Sequence, residues 1–428
     1  MISLLMIQPE NREIKRFRRL QFNNFSQITI PYLAAFVDGD HYEITIVDEY
    51  RQRIPYNKPF DLAAITVNTP NAPHCYEISR KLQKAGVKVA MGGPHATLLP
   101  NEVKEHCDYL LIGEGETIWP EFLDDFRKGA PNRIYKAGGP QSLDNLPAPR
   151  WDLVKRGRTM KGAVFATRGC PYHCRYCNLK QIYHDSFRTR PIEDVIAEIR
   201  DMPSKFFVFW DDNLFADKAY AKGMLLALIP LKKRWAAQAA LRDCRDDETL
   251  NLAKKAGCLY LFVGLESFTK ESLDDAGKSI NRVTDYAAAI NGIHSHGIMV
   301  QAGIVFGFDN DSPDVFDTAL DACEKLGIDG ATVSILTPFP QTPVFTQYKT
   351  EGRLIADDWG KYDSKTSVVF TPRNMSADEL WRGYNRFRRR FYTLGSFIRR
   401  MRVSRTNVPL NFVINLGYRL SAAGGDRL

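Results

Sequence analysis

Three cysteines, Cys170, Cys174 and Cys177, stand close together and are separated by three and then two residues. The apolar residues 163–166 precede them and are typical of a buried strand. A short loop leaving a strand can fold three thiols around one face of an iron–sulfur cube. Such a cube has four irons, so three cysteines leave one iron open to a small chelating molecule. The spacing therefore predicts a [4Fe–4S] cluster with an open iron.

Two other uses of these cysteines have to be weighed. A structural zinc site commonly has four protein ligands, and only His173 and His184 stand nearby as candidates for the fourth. A disulfide framework is excluded, because three is an odd number and nothing marks the chain as secreted. Zinc remains the alternative to the cluster.

The cysteine spacing, with Tyr176 directly before the last cysteine, resembles the motif of the radical S-adenosylmethionine (SAM) superfamily. The resemblance implies that SAM chelates the open iron through its amino and carboxylate groups. It also implies that an electron from the cluster cleaves SAM to a carbon radical, and that a protein such as flavodoxin or ferredoxin donates this electron. Cys170, Cys174 and Cys177 would be the metal ligands, and Tyr176 would border the cofactor.

Length and composition fit a protein of several domains in the cytoplasm. The chain has 428 residues, enough for two or three domains, with 44% hydrophobic and 25% charged residues. It has no apolar run long enough to cross a bilayer, and its N-terminus lacks the basic segment and cleavage site of a signal peptide. Eight cysteines, three of them needed as thiolates, indicate a reducing and anaerobic cytoplasm.

The first third of the sequence alternates short apolar runs with helical stretches. This alternation predicts a parallel, doubly wound α/β sheet, with strands at residues 2–8, 43–47, 62–67, 87–91 and 109–112. Such sheets bind ligands at the carboxyl ends of their strands. The loops at those ends carry polar residues and paired glycines that let a backbone approach a bulky ligand: Thr69, Gly92, Gly93, His95 and Glu114. Paired glycines after a strand are also common in plain turns.

The order of these loops, followed by the cysteine motif, resembles the cobalamin-binding domain that is fused to radical SAM proteins. The resemblance covers residues 1–130 and implies a cobalamin across the strand ends, with its nucleotide tail running toward Gly92 and Gly93. Many such domains carry a cobalt-binding histidine after the first strand, whereas the loop at residues 8–13 has none. His95 is the alternative ligand. A degenerate domain kept for packing or for substrate is the other interpretation.

Residues 131–160 are rich in proline and glycine and form a predicted linker. Residues 161–345 resume the strand–helix rhythm and predict a partial (β/α)6 barrel of the radical SAM type. We place its strands at 163–167, 205–210, 235–240, 259–264, 299–306 and 331–336, and helices at about 191–202, 217–230, 248–256, 281–296 and 312–326. Because parallel β/α barrels carry their chemistry at the carboxyl ends of the strands, each strand end is a candidate site.

Polar residues follow the second and third of these strands. Asp211 and Asp212 come after an aromatic run, and the superfamily resemblance implies that one of them accepts a hydrogen bond from the SAM amino group. A helix cap is the alternative role, for which Asp217 is better placed. Arg242 could hold the SAM carboxylate through two parallel hydrogen bonds, or could pair with Asp243 at the surface.

Two further strand ends carry candidate residues. Glu266 resembles the glutamate of a family element that contacts the SAM ribose, and a buried salt bridge is the alternative because a carboxylate there needs a partner. Gly303 and Gly307 suit either a close approach of the backbone to the adenine ring or tight helix–strand packing. The loop at residues 10–30 and the region after residue 337 are predicted to shape the substrate pocket.

Residues 346–428 form a predicted helical extension, which resembles that of the branch containing the hopanoid methylases. From Trp381 to Gly425 there are ten arginines and neither lysine nor acidic residues, so the net charge of +8 belongs to this segment. Five apolar residues share one face of a predicted helix: Phe387, Phe391, Leu394, Ile398 and Met401. We expect this face to pack on the barrel, with a solvated basic back that includes Arg388, Arg389, Arg399 and Arg400. Adsorption to the inner face of an anionic membrane is the alternative. No nucleic acid is expected, because no RNA-binding module accompanies the arginines.

These resemblances imply a cobalamin-dependent radical SAM enzyme that methylates an unactivated carbon of a small molecule, for which a lipid is one candidate. A 5′-deoxyadenosyl radical would abstract hydrogen, methylcobalamin would donate the methyl group, and a second SAM would regenerate it. A cyclase or rearrangement enzyme with the same cofactors is one alternative. A non-catalytic cobalamin or cluster sensor is another, and a methylthiotransferase is disfavoured because Cys75 and Cys107 stand alone.

Overall fold

The computed structural model describes residues 1–12, 14, 27–154, 162–278 and 280–423. Most of the loop predicted at residues 10–30 lies outside the described residues, as do residues 155–160 of the predicted linker. The described chain contains two parallel six-stranded sheets and a helical C-terminal part. The predicted fold class, a doubly wound sheet followed by a partial barrel and a helical extension, is confirmed.

The N-terminal sheet has the strand order β2-β1-β3-β4-β5-β6 with every pair parallel. The strands are apolar and mostly buried on both faces, which is the pattern expected when helices cover both sides of a sheet. Their bounds are β1 Ile2–Gln8, β2 Tyr42–Asp48, β3 Leu62–Thr66, β4 Lys88–Gly92, β5 Tyr109–Ile112 and β6 Ile134–Lys136. The sixth strand lies inside the predicted linker and has only three residues, too few for an apolar pattern to stand out.

Helices pack on both faces of this sheet and form two separate apolar clusters. They are α1 Thr29–Ala34, α2 Ala72–Lys84, α3 Pro94–Leu98, α4 Pro100–Val103 and α5 Gly115–Arg127. The two short helices α3 and α4 begin with proline, which is favourable at the first turn because its missing N–H would have no helical partner there. They follow β4 and bring the loop at Gly92 and Gly93 to the sheet edge.

The second sheet has the order β14-β13-β12-β11-β10-β7, again parallel throughout. Its strands, with a small antiparallel pair β8–β9 beside them, are β7 Ala163–Val164, β8 Thr167–Arg168, β9 Arg188–Thr189, β10 Phe206–Phe209, β11 Arg234–Ala239, β12 Cys258–Glu266, β13 Met299–Phe306 and β14 Gly330–Ile335. The strand predicted at residues 163–167 is thus two short strands. The chain leaves the sheet after Val164, because the N–H groups of Ala166 and Thr167 bind the Asp211 carboxylate instead of another strand.

The helices of this region alternate with the strands as predicted. They are α6 Leu179–Ile182, α7 Ile192–Asp201, α8 Lys218–Leu228, α9 Asp247–Lys255, α10 Lys270–Asp275, α11 Tyr286–Ser295, α12 Val315–Leu326 and α13 Pro343–Thr350. Asp217 caps α8 by accepting a hydrogen bond from the Tyr220 N–H, which confirms it as the helix cap.

The C-terminal part consists of α14 Ala377–Phe391, α15 Leu394–Ser404 and α16 Val408–Ala423. The prediction of one continuous apolar face was wrong at two positions, since Leu394 is 53% and Ile398 is 42% exposed. The helix ends at Phe391, and Thr393 caps a new helix by accepting from the Ser396 N–H. The change of direction keeps Phe387 and Phe391 buried and turns the next residues of the pattern outward.

These helices cover the last strand of the barrel sheet. The Tyr392 hydroxyl accepts from the Ala331 N–H at 3.1 Å and donates to the Ala331 carbonyl at 2.6 Å. Arg400 is fully buried and donates to the carbonyls of Ile328 and Asp329, so the prediction that it belongs to a solvated basic back was wrong. In the part of the chain that the structure describes, no helix is long and apolar enough to cross a membrane.

Candidate active site

The three cysteines of the motif line one cavity at the carboxyl ends of the barrel strands, together with Tyr176, Asp212, Glu266 and Gly303. All three thiols are free, and the Cys177 N–H donates to the Cys174 carbonyl at 3.1 Å to form a tight turn. Burial raises the pKa of the Cys170 thiol to about 11 and that of Cys177 to about 12. Three sulfurs facing one cavity are the donor set that an iron–sulfur cube with an open iron needs.

The zinc alternative lacks a histidine as its fourth ligand within the described residues. His173 is exposed and contacts the Asp185 carboxylate at 2.6 Å, and His184 is exposed as well. Neither histidine lines the cysteine cavity. The sulfur set therefore fits the cluster and not tetrahedral zinc.

The loop that carries the cysteines is held by the barrel at its start and near its middle. Before it, the Asp211 carboxylate accepts hydrogen bonds from the N–H groups of Ala166 and Thr167 and from the Thr167 hydroxyl. Gly169 has a φ of +85°, and a Cβ there would lie 2.0 Å from the Ser186 carbonyl oxygen. Within the loop, the Arg175 N–H donates to the Ala276 carbonyl at 2.9 Å.

The adjacent acids Asp211 and Asp212 have different surroundings. Asp211 is only 4% exposed, and its carboxylate is committed to the backbone before the cysteine loop. Asp212 lines the cysteine cavity and accepts one long hydrogen bond, 3.3 Å, from the Gly169 N–H. Burial raises the pKa of both carboxyls, to about 7 for Asp211 and to about 6 for Asp212. Of the two, only Asp212 presents its side chain to a ligand in the cavity.

Glu266 forms a buried ion pair with a residue that the sequence did not single out. The Lys278 ammonium lies 2.6 Å from the Glu266 carboxylate and donates to the Gly264 carbonyl at 2.9 Å. Both side chains line the cysteine cavity, and both residues are less than 9% exposed. Burial, followed by the charge of Glu266, raises the pKa of the Tyr176 hydroxyl. Glu266 thus lines the cavity, as the predicted SAM contact requires, and also forms the buried salt bridge that was its alternative role.

Of two further predicted SAM contacts, Gly303 lines the cysteine cavity and Arg242 does not. Arg242 is exposed and does not line the cavity, because its neighbours on either side point inward. Asp243 is not its partner at the surface, since the Asp243 carboxylate accepts from the Tyr172 hydroxyl at 2.7 Å and from Asn213 at 2.8 Å. Gly303 does line the cavity, and a Cβ there would lie 2.8 Å from the ring of Phe262.

A second cavity lies between the two sheets. From the N-terminal domain it is lined by Gly92, Gly93 and Glu114, and from the barrel by residues that include Trp210 and Asp212. Gly93 has a φ of +102°, and a Cβ there would lie 2.9 Å from the Thr66 hydroxyl and 3.0 Å from the Val67 backbone. The bare backbone at this edge fits the close approach of a bulky ligand, as a cobalamin tail requires.

Thr69 and His95 do not line this second cavity. His95 is fully buried, its Nδ1 lies 3.2 Å from the Thr69 hydroxyl, and its Nε2 lies 3.5 Å from the Glu102 carboxylate. Its ring packs against Trp359, with the ring centroids 5.6 Å apart. The geometry therefore does not support His95 as a cobalt ligand. Thr69 contacts the His95 ring and not the second cavity.

Glu114 lines the second cavity, but its charge is already neutralised by the barrel. Its carboxylate binds Arg168 and also Arg188, the latter at 2.7 Å. Glu116 completes the group by binding Arg168 at 2.7 Å and accepting from the Tyr32 hydroxyl at 2.9 Å. These ion pairs fasten the N-terminal domain to β8, immediately before the cysteine loop.

The two cavities meet at one residue. Asp212 lines both the cysteine cavity and the interdomain cavity. Asp212 follows the end of β10, and its side chain borders both spaces. A molecule lying beside Asp212 is therefore within reach of ligands held in either cavity. The arrangement suits a reaction in which two cofactors act on one substrate.

Comparison with known families agrees with this division. Residues 164–323 match the radical SAM superfamily, and residues 23–123 match the B12 binding domain. The bacteriochlorophyllide d C-12(1)-methyltransferase of Chlorobaculum tepidum is 30% identical over 394 residues, which cover 89% of this chain and 85% of the relative. The hopanoid C-2 methylase of Rhodopseudomonas palustris is 26% identical and covers 72% of this chain and 60% of the relative.

A solved structure has the same fold at low sequence identity. The radical SAM methyltransferase TsrM from Kitasatospora setae, solved with cobalamin and a [4Fe–4S] cluster, matches 82% of this chain and 78% of its own with a TM-score of 0.66 and 18% identity. The cofactors predicted from the sequence, a [4Fe–4S] cluster, SAM and cobalamin, are confirmed by the matches to the radical SAM and B12-binding families. The chain belongs to the family of radical SAM enzymes that carry a B12-binding domain.

Proposed function

We propose that this protein is a cobalamin-dependent radical SAM methyltransferase that methylates an unactivated carbon of a small molecule. The observation that carries the proposal is the position of Asp212 at the meeting point of the two cavities. When bound, the cluster with SAM supplies a hydrogen-abstracting carbon radical, and cobalamin supplies the methyl group. A substrate bound beside Asp212 would be within reach of both the radical and the methyl group.

The residues of the cysteine cavity divide the work of holding the first pair of cofactors. Cys170, Cys174 and Cys177 bind the cluster, and Asp212 accepts a hydrogen bond from the SAM amino group. Glu266 would accept from the SAM ribose, while Lys278 holds its carboxylate in place. Tyr176 and Gly303 form the walls against which the remaining parts of SAM lie.

The interdomain cavity holds cobalamin in the proposed enzyme. Gly92 and Gly93, which line this cavity, would border its nucleotide tail, and a Cβ at Gly93 would crowd Thr66 and Val67 at the end of β3. The loop at residues 8–13 after β1 has no histidine, and His95 is buried outside this cavity, so neither position would supply a histidine to the cobalt. Glu114 contributes by fixing the two domains across the cavity.

The substrate is proposed to be a largely apolar small molecule, with lipids included. The relatives at 30% and 26% identity act, by their names, on bacteriochlorophyllide d and on hopanoids. The barrel end of the cysteine cavity is lined by apolar side chains that suit such a body, among them Phe262, Ile304 and Val305. A small electron-transfer protein such as flavodoxin or ferredoxin would reduce the cluster. A cytoplasmic location, with the arginine-rich C-terminal segment against the inner face of the membrane, completes the proposal.

A cyclisation without methyl transfer is the second candidate. The anaerobic magnesium-protoporphyrin IX monomethyl ester cyclase of Cereibacter sphaeroides is 24% identical over 78% of this chain and 60% of its own length. The same two cavities would serve such an enzyme. Methylation ranks first because the relative with the higher identity and coverage is a methyltransferase by name.

The stoichiometry of SAM consumption separates the candidates. Anaerobic protein loaded with iron, sulfide and cobalamin would be incubated with reductant, SAM labelled in its methyl group, and lipid extracts. A methyltransferase yields S-adenosylhomocysteine and 5′-deoxyadenosine in equal amounts, with label in a lipid product. Formation of 5′-deoxyadenosine with product but without S-adenosylhomocysteine would favour cyclisation. Protein that binds iron yet never cleaves SAM would indicate a sensor.

A further inference from the structure

The last helix, α16, has one side packed on the protein and one side exposed. The packed side carries both polar and apolar residues: Asn411, Asn415 and Ser421 are each at most 5% exposed, and Ile414, Tyr418 and Ala422 are each at most 8% exposed. Asn411 donates to the Asp329 carboxylate at 2.8 Å, and Asn415 donates to the Asp329 carbonyl at 2.9 Å. Both asparagines are therefore bound to Asp329, and these contacts fix which side of the helix faces outward.

The outward side is apolar. Its large side chains are 45–54% exposed, and together they define the outer face of α16: Val408, Phe412, Val413, Leu416 and Leu420. Their spacings of four, one, three and four residues place them within about 140° of the helix circumference, which is a single helix face. Exposed apolar residues occur singly on most proteins, but a continuous face of this kind marks a contact surface.

The charged side chains of the described residues next to this face in sequence are positive. Arg402, Arg405 and Arg419 are exposed and form no ion pair with a carboxylate among the described residues. The other arginines with assigned partners are turned elsewhere, because Arg399 binds Glu324 and Arg400 is buried. No acidic residue occurs between positions 381 and 425. An apolar face accompanied by exposed arginines is complementary to an apolar surface that carries negative charge.

We propose that the outer face of α16 adsorbs to the surface of an anionic lipid bilayer, with Arg402, Arg405 and Arg419 near the headgroups. The helix lies in the plane of the surface, as amphipathic anchors do, because its packed side is bound to the barrel through Asp329. This inference gives the proposed membrane contact a defined surface. It does not depend on the reaction, since α16 binds near Asp329, at the start of β14, and the cavities lie at the opposite ends of the strands.

The test is sedimentation of the full-length holoprotein with vesicles. Vesicles of phosphatidylcholine with phosphatidylglycerol should bind the protein, and vesicles of phosphatidylcholine alone should bind it much less. Phe412→Ser with Leu416→Ser should lower partitioning at least about tenfold. Arg405→Gln and Arg419→Gln should each lower it about fivefold, with the effect fading at high salt.

Matched controls lie on the same chain. Leu226→Ser changes an exposed leucine on α8, and Arg382→Gln changes an arginine paired with Asp378, so neither should alter partitioning. Equal binding to both kinds of vesicle, or none to either, would overturn the proposal. So would a dimer that the Phe412→Ser and Leu416→Ser changes dissociate, because a second copy would then cover the face. Cleavage of SAM by the same preparations reports separately on the proposed reaction.

Discussion

The Lys278 ammonium lies 2.6 Å from the Glu266 carboxylate at the wall of the cavity that the three cysteines line. Two opposite charges buried together are tolerable, whereas one left alone in the same place is costly. Lys278 therefore fixes the direction of the Glu266 side chain, which we propose contacts SAM. This pair gives the first prediction.

Replacing Lys278 with methionine should destabilise the protein by about 3 kcal/mol or more, because the Glu266 carboxylate loses its buried partner. Urea unfolding followed by circular dichroism measures the loss. The double variant Glu266→Gln with Lys278→Met should recover most of it, since no unpaired charge remains. Equal losses in the single and double variants would show that lost packing and not the ion pair accounts for the effect.

The adjacent acids Asp211 and Asp212 should give opposite results when changed to asparagine. Asp211→Asn turns an amide toward the N–H groups of Ala166 and Thr167, so we expect poor loading of iron per chain. Asp212→Asn should load iron normally and bind SAM about tenfold more weakly, or worse, because a charged acceptor is lost. Iron analysis and equilibrium dialysis with labelled SAM measure both. The reverse pattern would exchange the roles assigned here.

The sequence predicted the two parallel sheets and the cysteine cavity because strand runs and metal-ligand spacing are local patterns. It left Asp211 and Asp212 as equal candidates for the SAM contact. The choice depends on the N–H groups of residues 166 and 167, which bind the Asp211 carboxylate and leave that of Asp212 facing the cavity. Lys278 carried no signal, because its importance comes from a partner on the neighbouring strand end.

The predictions for Leu394, Ile398 and Arg400 were wrong for the same reason, because contacts far away in sequence decide where these side chains lie. Leu394 and Ile398 fit the helical pattern, yet the Thr393 cap begins a new helix and turns them outward. Arg400 looked like one of many surface arginines, although distant carbonyls bind it in the interior. Local patterns identify elements, while the direction of a side chain at a helix end depends on contacts far away in sequence.

Two neighbouring arginines on α15 allow a matched test of burial. Arg400 donates to three backbone carbonyls and to Asn415, so Arg400→Met should leave these acceptors unpaired and cost about 3 kcal/mol or more. Arg399 is exposed and binds only Glu324, so Arg399→Met should cost less than about 1 kcal/mol. Denaturant unfolding of both variants measures the difference. Similar small losses would mean that solvent reaches the carbonyls once the guanidinium is removed.

The buried ammonium of Lys365 should make the free energy of unfolding depend on pH. Its ammonium donates to the Val333 carbonyl at 2.7 Å and to the Ser334 hydroxyl at 3.1 Å, and burial lowers its pKa from the ordinary 10.5 to about 8. Between these values the unfolded chain binds a proton that the folded chain does not. The contribution of Lys365 to the free energy of unfolding should therefore rise with pH across this window.

The measurement compares urea unfolding of the wild type and Lys365→Met from pH 7 to pH 10.5. The stability of the wild type relative to the variant should increase through the upper part of this range and stay constant near pH 7. A difference that is flat throughout would show that the ammonium remains charged in the fold.

The central claim is that Cys170, Cys174 and Cys177 hold a cube whose fourth iron is open to SAM. Mössbauer spectra of anaerobically loaded protein, recorded with and without SAM, test it most directly. The wild type should show a [4Fe–4S] cluster in which SAM changes the signal of about a quarter of the iron, and Cys174→Ala should lack that cluster. A wild-type spectrum without a cube, or a cube whose four irons ignore SAM, would contradict the account.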